Sequence, residues 1–250
     1  MLRMAHLAIL FCMSLVVFAG PVALAGSNSP TGTWETSITG KVNGDSLTGT
    51  AYIEFLEDGS CSGYAVVKQS DYDLSFSGSW TVVNKKLLGS LEVNISSSYS
   101  MVFDISGSAS AGRSLSIKAL GAASNQFKLS GKPIVAMLDV SGNYQGLIKT
   151  RGLTGLLTVD LGAPDPEMPG FYTISGDIFF NASGTDLISG FALVKADGNF
   201  IAVILNDSTG YSASIWGKIN TRGTISASGL DLSNGSKIQV KFFDTPFFNS

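Results

Sequence analysis

The chain has 250 residues, of which 44% are hydrophobic and 14% charged, and its formal net charge is −3. Its 16 Lys and Arg residues form no basic stripe that could neutralise nucleic-acid phosphates, so we expect no nucleic-acid partner. The hydrophobic fraction is large enough to build a core, and the 29 glycines show no period of three. These features exclude a disordered chain and a collagen-like one.

The first 25 residues have the pattern of a cleaved signal peptide. Arg3 precedes an apolar run from Leu7 to Phe18, and Ala23-Leu24-Ala25 supplies the small residues that signal peptidase accepts. The run is too short for a transmembrane helix, which needs about 20 apolar residues. We therefore predict a signal peptide over residues 1–25 and a mature protein that is secreted or periplasmic.

Removal of this segment deletes both His6 and Cys12, so the mature chain has no histidine and a single cysteine, Cys61. The missing histidine excludes Ser-His-Asp catalysis and histidine-ligated metals. Carboxylates cluster between Asp160 and Glu167, but their spacing matches no calcium-binding loop. We therefore predict a protein that is not an enzyme and that holds no cofactor or metal.

Apolar and polar residues alternate along nearly the whole mature chain, which is the pattern of strands with one buried face. In the first predicted strand, Trp34, Ile38 and Val42 lie on one face. Turn sequences such as Asn43-Gly44 and Asp58-Gly59 separate the segments at short intervals and favour hairpins. The predicted fold class is all-β, an antiparallel meander with essentially no helix.

The chain also shows signs of an internal duplication. Gly32-Thr33-Trp34 opens the first predicted strand, and Gly142-Asn143-Tyr144 opens a similar one 110 residues later. Each half then holds about eight strand-like segments, enough to close a small barrel. We predict two tandem eight-stranded barrel-like repeats over residues 26–140 and 141–250, with one larger barrel or a β-sandwich as the alternative.

The Gly32-Thr33-Trp34 sequence at the start of the first strand resembles the Gly-x-Trp signature of lipocalins. This resemblance implies an up-and-down barrel with a cavity for a small apolar ligand, closed at its narrow end by the tryptophan. Lipocalins also carry a basic residue on the last strand that covers this tryptophan. Lys132 and Lys241 are the candidates for that role.

Large apolar residues on the inward face of the first repeat are the candidate ligand-binding residues. A wall of this kind bears no inward charge, so it would hold a small apolar molecule by burial alone. The alternative is that these side chains fill the interior, since an eight-stranded barrel is just wide enough to be filled by its own side chains. The candidates are Trp34, Ile53, Phe55, Phe76 and Trp80.

Two neighbouring segments, residues 187–194 and 200–205, are apolar on both faces. The outer apolar face must be covered by the other repeat, by a second subunit or by lipid. Self-association, as in a structural or adhesive surface protein, would use Phe191, Leu193, Ile201 and Val203.

An outer-membrane barrel is the further alternative, because low charge and alternating strands after a signal peptide also describe such proteins. In that case the apolar faces would contact lipid, and the polar faces would line a lumen. The charged members of that polar set are Glu35, Lys41, Glu54, Lys68, Asp71, Asp73 and Lys118.

Overall fold

The computed structural model describes residues 29–68, 73–96, 99–110, 112–134, 138–166, 168–180, 184–219 and 225–244. These ranges hold sixteen β-strands and one short 3-10 turn at Ala122–Ser124. The prediction of an all-β chain with essentially no helix is therefore confirmed for the described residues. The predicted signal peptide, residues 1–25, lies outside them.

Eight strands form the first barrel in chain order. Each strand pairs antiparallel with the next, and the last pairs with the first, so the sheet is closed. The strands are β1 (Gly32–Val42), β2 (Asp45–Phe55), β3 (Ser60–Val67), β4 (Asp73–Val83), β5 (Lys86–Ser96), β6 (Tyr99–Ser110), β7 (Ser114–Gly121) and β8 (Gln126–Pro133).

The second barrel repeats this plan, and its last strand pairs with its first. Two tandem eight-stranded barrels are thus confirmed, and the alternative of one larger barrel or a sandwich is wrong. The strands are β9 (Gly142–Thr150), β10 (Leu153–Pro164), β11 (Phe171–Phe180), β12 (Gly184–Val194), β13 (Asn199–Asn206), β14 (Ser212–Ile219), β15 (Ile225–Asp231) and β16 (Lys237–Asp244).

The alternating pattern places apolar side chains inside each barrel, where they form a separate hydrophobic core. On most of the outer surface the side chains are polar. On β1, for example, Trp34 and Ile38 are buried inside, whereas Ser37 and Lys41 are exposed outside.

Inward glycines sit where neighbouring strands approach closely. A Cβ on Gly78 would collide with the carbonyl oxygen of Ser90, and one on Gly131 would collide with that of Glu35. The second contact is at the seam between β1 and β8 that closes the first barrel. Glycine is needed at both positions because the strands coil too tightly there to admit a side chain.

Candidate functional site

One end of the first barrel is closed by large aromatic side chains. The Trp34 indole donates a hydrogen bond of 2.5 Å to the carbonyl oxygen of Pro30. Phe55 and Trp80 pack edge to face with their ring centroids 5.8 Å apart, and the Trp80 indole donates to the carbonyl oxygen of Ser60 at 2.9 Å. Ile53 is fully buried beside them. Four of the five predicted ligand-binding residues therefore pack the closed end.

A cavity of about 370 Å³ occupies the opposite end of the first barrel. Of the five predicted residues, Phe76 is the one found among the described residues that line it. The predicted residues share an inward direction, but they lie at different heights along the barrel, which alternation alone does not specify. The lining residues are Ile38, Val42, Asn43, Asp45, Ser46, Leu47, Val67, Lys68, Leu74, Phe76, Val93, Ile95, Phe103 and Phe127.

The wall of this cavity is apolar and its rim is polar. Phe103 and Phe127 pack against each other inside, with ring centroids 4.8 Å apart. At the rim, the buried Asn125 side chain accepts a hydrogen bond of 2.7 Å from the backbone N–H of Asn43, which fixes the β1–β2 turn at the mouth. No local pattern in the sequence marks Asn125, because its partner is 82 residues away.

The interior of the second barrel is nearly filled. It retains a cavity of about 50 Å³ lined entirely by apolar residues and tyrosine. At its closed end, the Tyr144 hydroxyl donates to the carbonyl oxygen of Val140 at 2.6 Å, and Tyr172 donates to that of Leu138 at 2.8 Å. Burial raises the pKa of Tyr144 to about 12. This space is too small for a ligand of ordinary size.

The lipocalin-like basic cover of the closed end is absent from the described strands. Lys132 on β8 and Lys241 on β16 are both exposed, on the outer faces of their barrels. The expectation that one of them covers Trp34 is therefore wrong. Alternation explains the difference, because each lysine neighbours an inward residue and must point the other way.

The apolar outer face of the second barrel packs against the first barrel. Leu193, Ile201 and Val203 are buried in one cluster with Tyr52 and Val66 of the first barrel. Phe191 lies at the edge of this cluster and stacks on Phe171 with ring centroids 5.5 Å apart. The sequence analysis allowed this face to be covered by the other repeat, by a second subunit or by lipid. Within the single chain, the other repeat covers it.

Polar contacts around Glu35 connect the two barrels at the edge of this cluster. The Glu35 carboxylate accepts a hydrogen bond of 2.7 Å from the backbone N–H of Ala196, and its Oε2 atom lies 3.3 Å from the Tyr52 hydroxyl oxygen. It also lies 3.5 Å from the ammonium of Lys195. Glu35 is outside the barrel, as its place in the alternation requires, but the second barrel covers it.

Two tyrosines of the first barrel donate across the same junction. The Tyr52 hydroxyl lies 2.9 Å from the carbonyl oxygen of Val194, and the Tyr64 hydroxyl lies 2.6 Å from that of Pro169. Burial, followed by the charge of Glu35, raises the pKa of Tyr52 well above its usual range. Burial, followed by the charge of Asp165, does the same to the pKa of Tyr64.

Beside the junction lies an open groove of about 680 Å³ between the outer faces of the two barrels. Hydroxyl groups of Ser37 and Thr39 on the first barrel and of Ser226 and Ser228 on the second line it, together with three lysines and Trp216. None of the predicted ligand-binding residues, which lie inside the first barrel, lines this groove.

Other candidate chemistries are weak in the described part of the chain. Cys61 is buried inside the first barrel, and burial raises its pKa to about 11, so the thiol is unreactive near neutral pH. No group of three or more His, Cys, Asp or Glu side chains among the described residues is placed to hold a metal ion. No helix there is long and apolar enough to cross a membrane.

Comparisons with known proteins yield no family. No protein-family model and no curated protein matches the chain. A solved structure from Bacteroides fragilis, provisionally described as an outer membrane protein, is 14% identical over 86% of this chain and 97% of its own, with a TM-score of 0.30. A protein of unknown function from Nostoc punctiforme, of the DUF3598 family, is 11% identical over 85% and 95%, with a TM-score of 0.18. Such low scores do not establish a shared fold.

Proposed function

We propose that this protein is a non-catalytic binding protein that holds a small apolar or amphipathic molecule in the open end of its first barrel. The observation that carries the proposal is the cavity of about 370 Å³ with an apolar wall and a polar rim. Its size and lining are those of small-molecule sites, which are mostly apolar with a few polar groups that fix orientation. The resemblance to lipocalins points in the same direction.

The contrast between the two barrels supports a single site in the first. The second barrel keeps about 50 Å³ of internal space, less than a small-molecule site needs. Its contribution is to pack against the first barrel through Leu193 and Val203. The protein thus combines one barrel that has internal space for a ligand with one barrel whose interior is nearly filled.

We propose that the protein acts outside the cytoplasm, as a secreted or periplasmic protein, on the strength of the sequence of residues 1–25. The outer-membrane alternative requires apolar faces outward and polar faces inward. The described strands have the reverse arrangement over most of their length, with exposed outward residues such as Lys41 and Lys118 and buried inward ones such as Ile38 and Ile117. This arrangement suits water outside the barrels.

A non-catalytic role is supported by how the best-placed carboxylate is used. Glu35 accepts a hydrogen bond from the Ala196 N–H, lies 3.5 Å from the Lys195 ammonium and lies beside the Tyr52 hydroxyl. A catalytic acid or base must be able to reach a substrate, whereas the second barrel covers this carboxylate. Glu35 therefore suits a structural role at the junction.

Fluorescence of the neutral dye N-phenyl-1-naphthylamine, titrated into the purified protein and displaced with straight-chain alcohols of increasing length, tests the proposal. We expect saturable binding and displacement. Val93→Phe fills the cavity and should weaken binding at least tenfold, whereas Val102→Phe on the exposed outer face should leave it unchanged. Absence of saturable binding, or equal binding by the Val93 variant, would contradict the proposal.

The behaviour of the same purified protein without detergent tests whether it resides in water or in a membrane. We expect the chain from residue 26 onward to stay monodisperse in buffer without detergent. A requirement for detergent would instead favour the outer-membrane alternative.

A further inference from the structure

The groove between the barrels is separate from the barrel interior. Its walls are the outer faces of β1 and β2 on one side and of β13–β15 on the other, so it forms where the barrels meet. Lys68, at the end of β3, borders both the groove and the mouth of the first barrel. Ligand sites often lie at the junction between two domains.

Positive charge is concentrated in this groove although the whole chain is acidic. Lys68, Lys195 and Lys218 all line it, whereas the net charge of the chain is −3. Lys195 is paired with Glu35. Within the described ranges, neither Lys68 nor Lys218 has an ion-pair partner. Clefts lined by one sign of charge focus the field on an oppositely charged ligand.

Two negative groups lie near these lysines and reduce but do not cancel the charge. One is Glu35, which is taken up at the junction. The other is Asp197; burial alone would raise its pKa, but hydrogen bonds from Asn199 and the charges of Lys195 and Lys218 lower it. Three lysines against these two carboxylates leave an excess of one positive charge among the described residues of the groove, and Lys68 is the lysine that neither carboxylate pairs with.

The rest of the lining is suited to a polyhydroxylated ligand. Ser37, Thr39 and Thr48 on one wall and Ser226 and Ser228 on the other are hydroxyl groups that both donate and accept hydrogen bonds. Trp216 adds one aromatic surface, over which the Lys68 ammonium is held 5.1 Å from the ring centroid. The volume of about 680 Å³ is far larger than one inorganic anion needs.

We propose that this groove binds an acidic oligosaccharide, with Lys68 and Lys218 holding its carboxylate or sulfate groups and the serine and threonine hydroxyls holding its hydroxyl groups. Single-stranded nucleic acid is the less suitable occupant. Sites that bind single-stranded nucleic acid use several aromatic side chains as stacking surfaces and a longer run of cationic side chains than this groove supplies. The groove shares Lys68 with the lining of the apolar cavity, and its other lining residues are different.

Isothermal titration calorimetry on the purified protein tests the proposal with trigalacturonate, which carries carboxylates, and a heparin-derived tetrasaccharide, which carries sulfates. Maltotriose serves as the neutral sugar and a thymidine trinucleotide as the nucleic acid. We expect binding of at least one acidic sugar, weakened by added salt, and at least tenfold weaker binding of maltotriose and of the trinucleotide. Binding by one acidic sugar alone identifies the preferred acidic group.

The double variant Lys68→Gln, Lys218→Gln should weaken binding of the acidic sugar at least tenfold. The matched double variant Lys86→Gln, Lys149→Gln removes the same charge from exposed sites elsewhere and should leave binding unchanged. The proposal is overturned if neither acidic sugar binds, if maltotriose or the trinucleotide binds as tightly, or if the two double variants behave alike. Lys218 lines the groove but not the cavity, so Lys218→Gln alone should weaken binding of the acidic sugar and leave dye binding to the first barrel unchanged, which separates this site from the apolar cavity.

Discussion

Trp34 and Tyr144 occupy corresponding places in the two barrels and make the same contact. Each side chain donates a hydrogen bond to the backbone carbonyl oxygen four residues before it, Pro30 for the indole and Val140 for the phenol. Each aromatic residue also lies two positions after a glycine with positive φ, which is +113° at Gly32 and +135° at Gly142. The shared geometry shows that both closed ends are built in one way with different aromatic rings.

Removal of these two donors should destabilise the barrels to different degrees. Tyr144→Phe deletes one hydroxyl and should lower the free energy of unfolding by about 1 kcal/mol. Trp34→Phe loses its hydrogen bond and also leaves a void, so we expect a loss of about 2–4 kcal/mol. Urea denaturation measures both. Tyr211→Phe, at an exposed position, is the control, and a loss there as large as at Tyr144 would contradict the interpretation.

Added volume should distinguish the two ends of the first barrel. Ala51 is fully buried in the core away from the cavity, so Ala51→Phe should cost about 1–3 kcal/mol through overpacking. Val93→Phe at the cavity should cost less, because the added ring enters existing space. Thermal unfolding of the two variants checks this. Equal losses would indicate that the cavity is not open in solution.

The junction between the barrels should depend on apolar packing at one end of β12. Leu193→Lys places a charge in a fully buried position and should separate the barrels, visible as a larger radius of gyration in small-angle X-ray scattering. Leu187 is on the same outward face of the same strand but is 60% exposed, so Leu187→Lys is the matched control. If the wild type forms oligomers that Leu193→Lys dissociates, this surface serves self-association instead.

Alkaline pH should weaken the fold. Burial, the largest cause, raises the pKa of the junction tyrosines Tyr52 and Tyr64 well above their usual range. The unfolded chain loses these protons near pH 10 whereas the folded chain keeps them, so the contribution of these two tyrosines to stability is constant below about pH 10 and is lost as the pH rises beyond it.

Melting temperatures measured between about pH 8 and pH 12 follow this loss. Tyr52→Phe combined with Tyr64→Phe should flatten the pH dependence above pH 10. The same change at the exposed residues Tyr99 and Tyr211 should leave the slope as in the wild type. An equal slope in both double variants would mean that other groups dominate the alkaline transition.

The sequence by itself determined the all-β fold class and the direction of the side chains, and it favoured two barrels over one larger barrel or a sandwich. Strict alternation identifies the buried face of a strand, so the pattern alone assigns Trp34, Ile53, Phe55 and Phe76 to the interior. The repeated Gly-x-aromatic pattern at residues 32 and 142 marked the two starting strands. These signals are local, since each is read within a few residues.

The tertiary structure alone decided where the empty space lies and how the barrels meet. The height of a residue along a barrel depends on the register of all eight strands, so the cavity falls beside Phe76 and Val93 and away from Trp34. The junction and the groove bring together side chains far apart in the chain. Tyr52 and its acceptor Val194 are 142 residues apart, and no periodic pattern records a contact between the outer faces of two separately closed sheets.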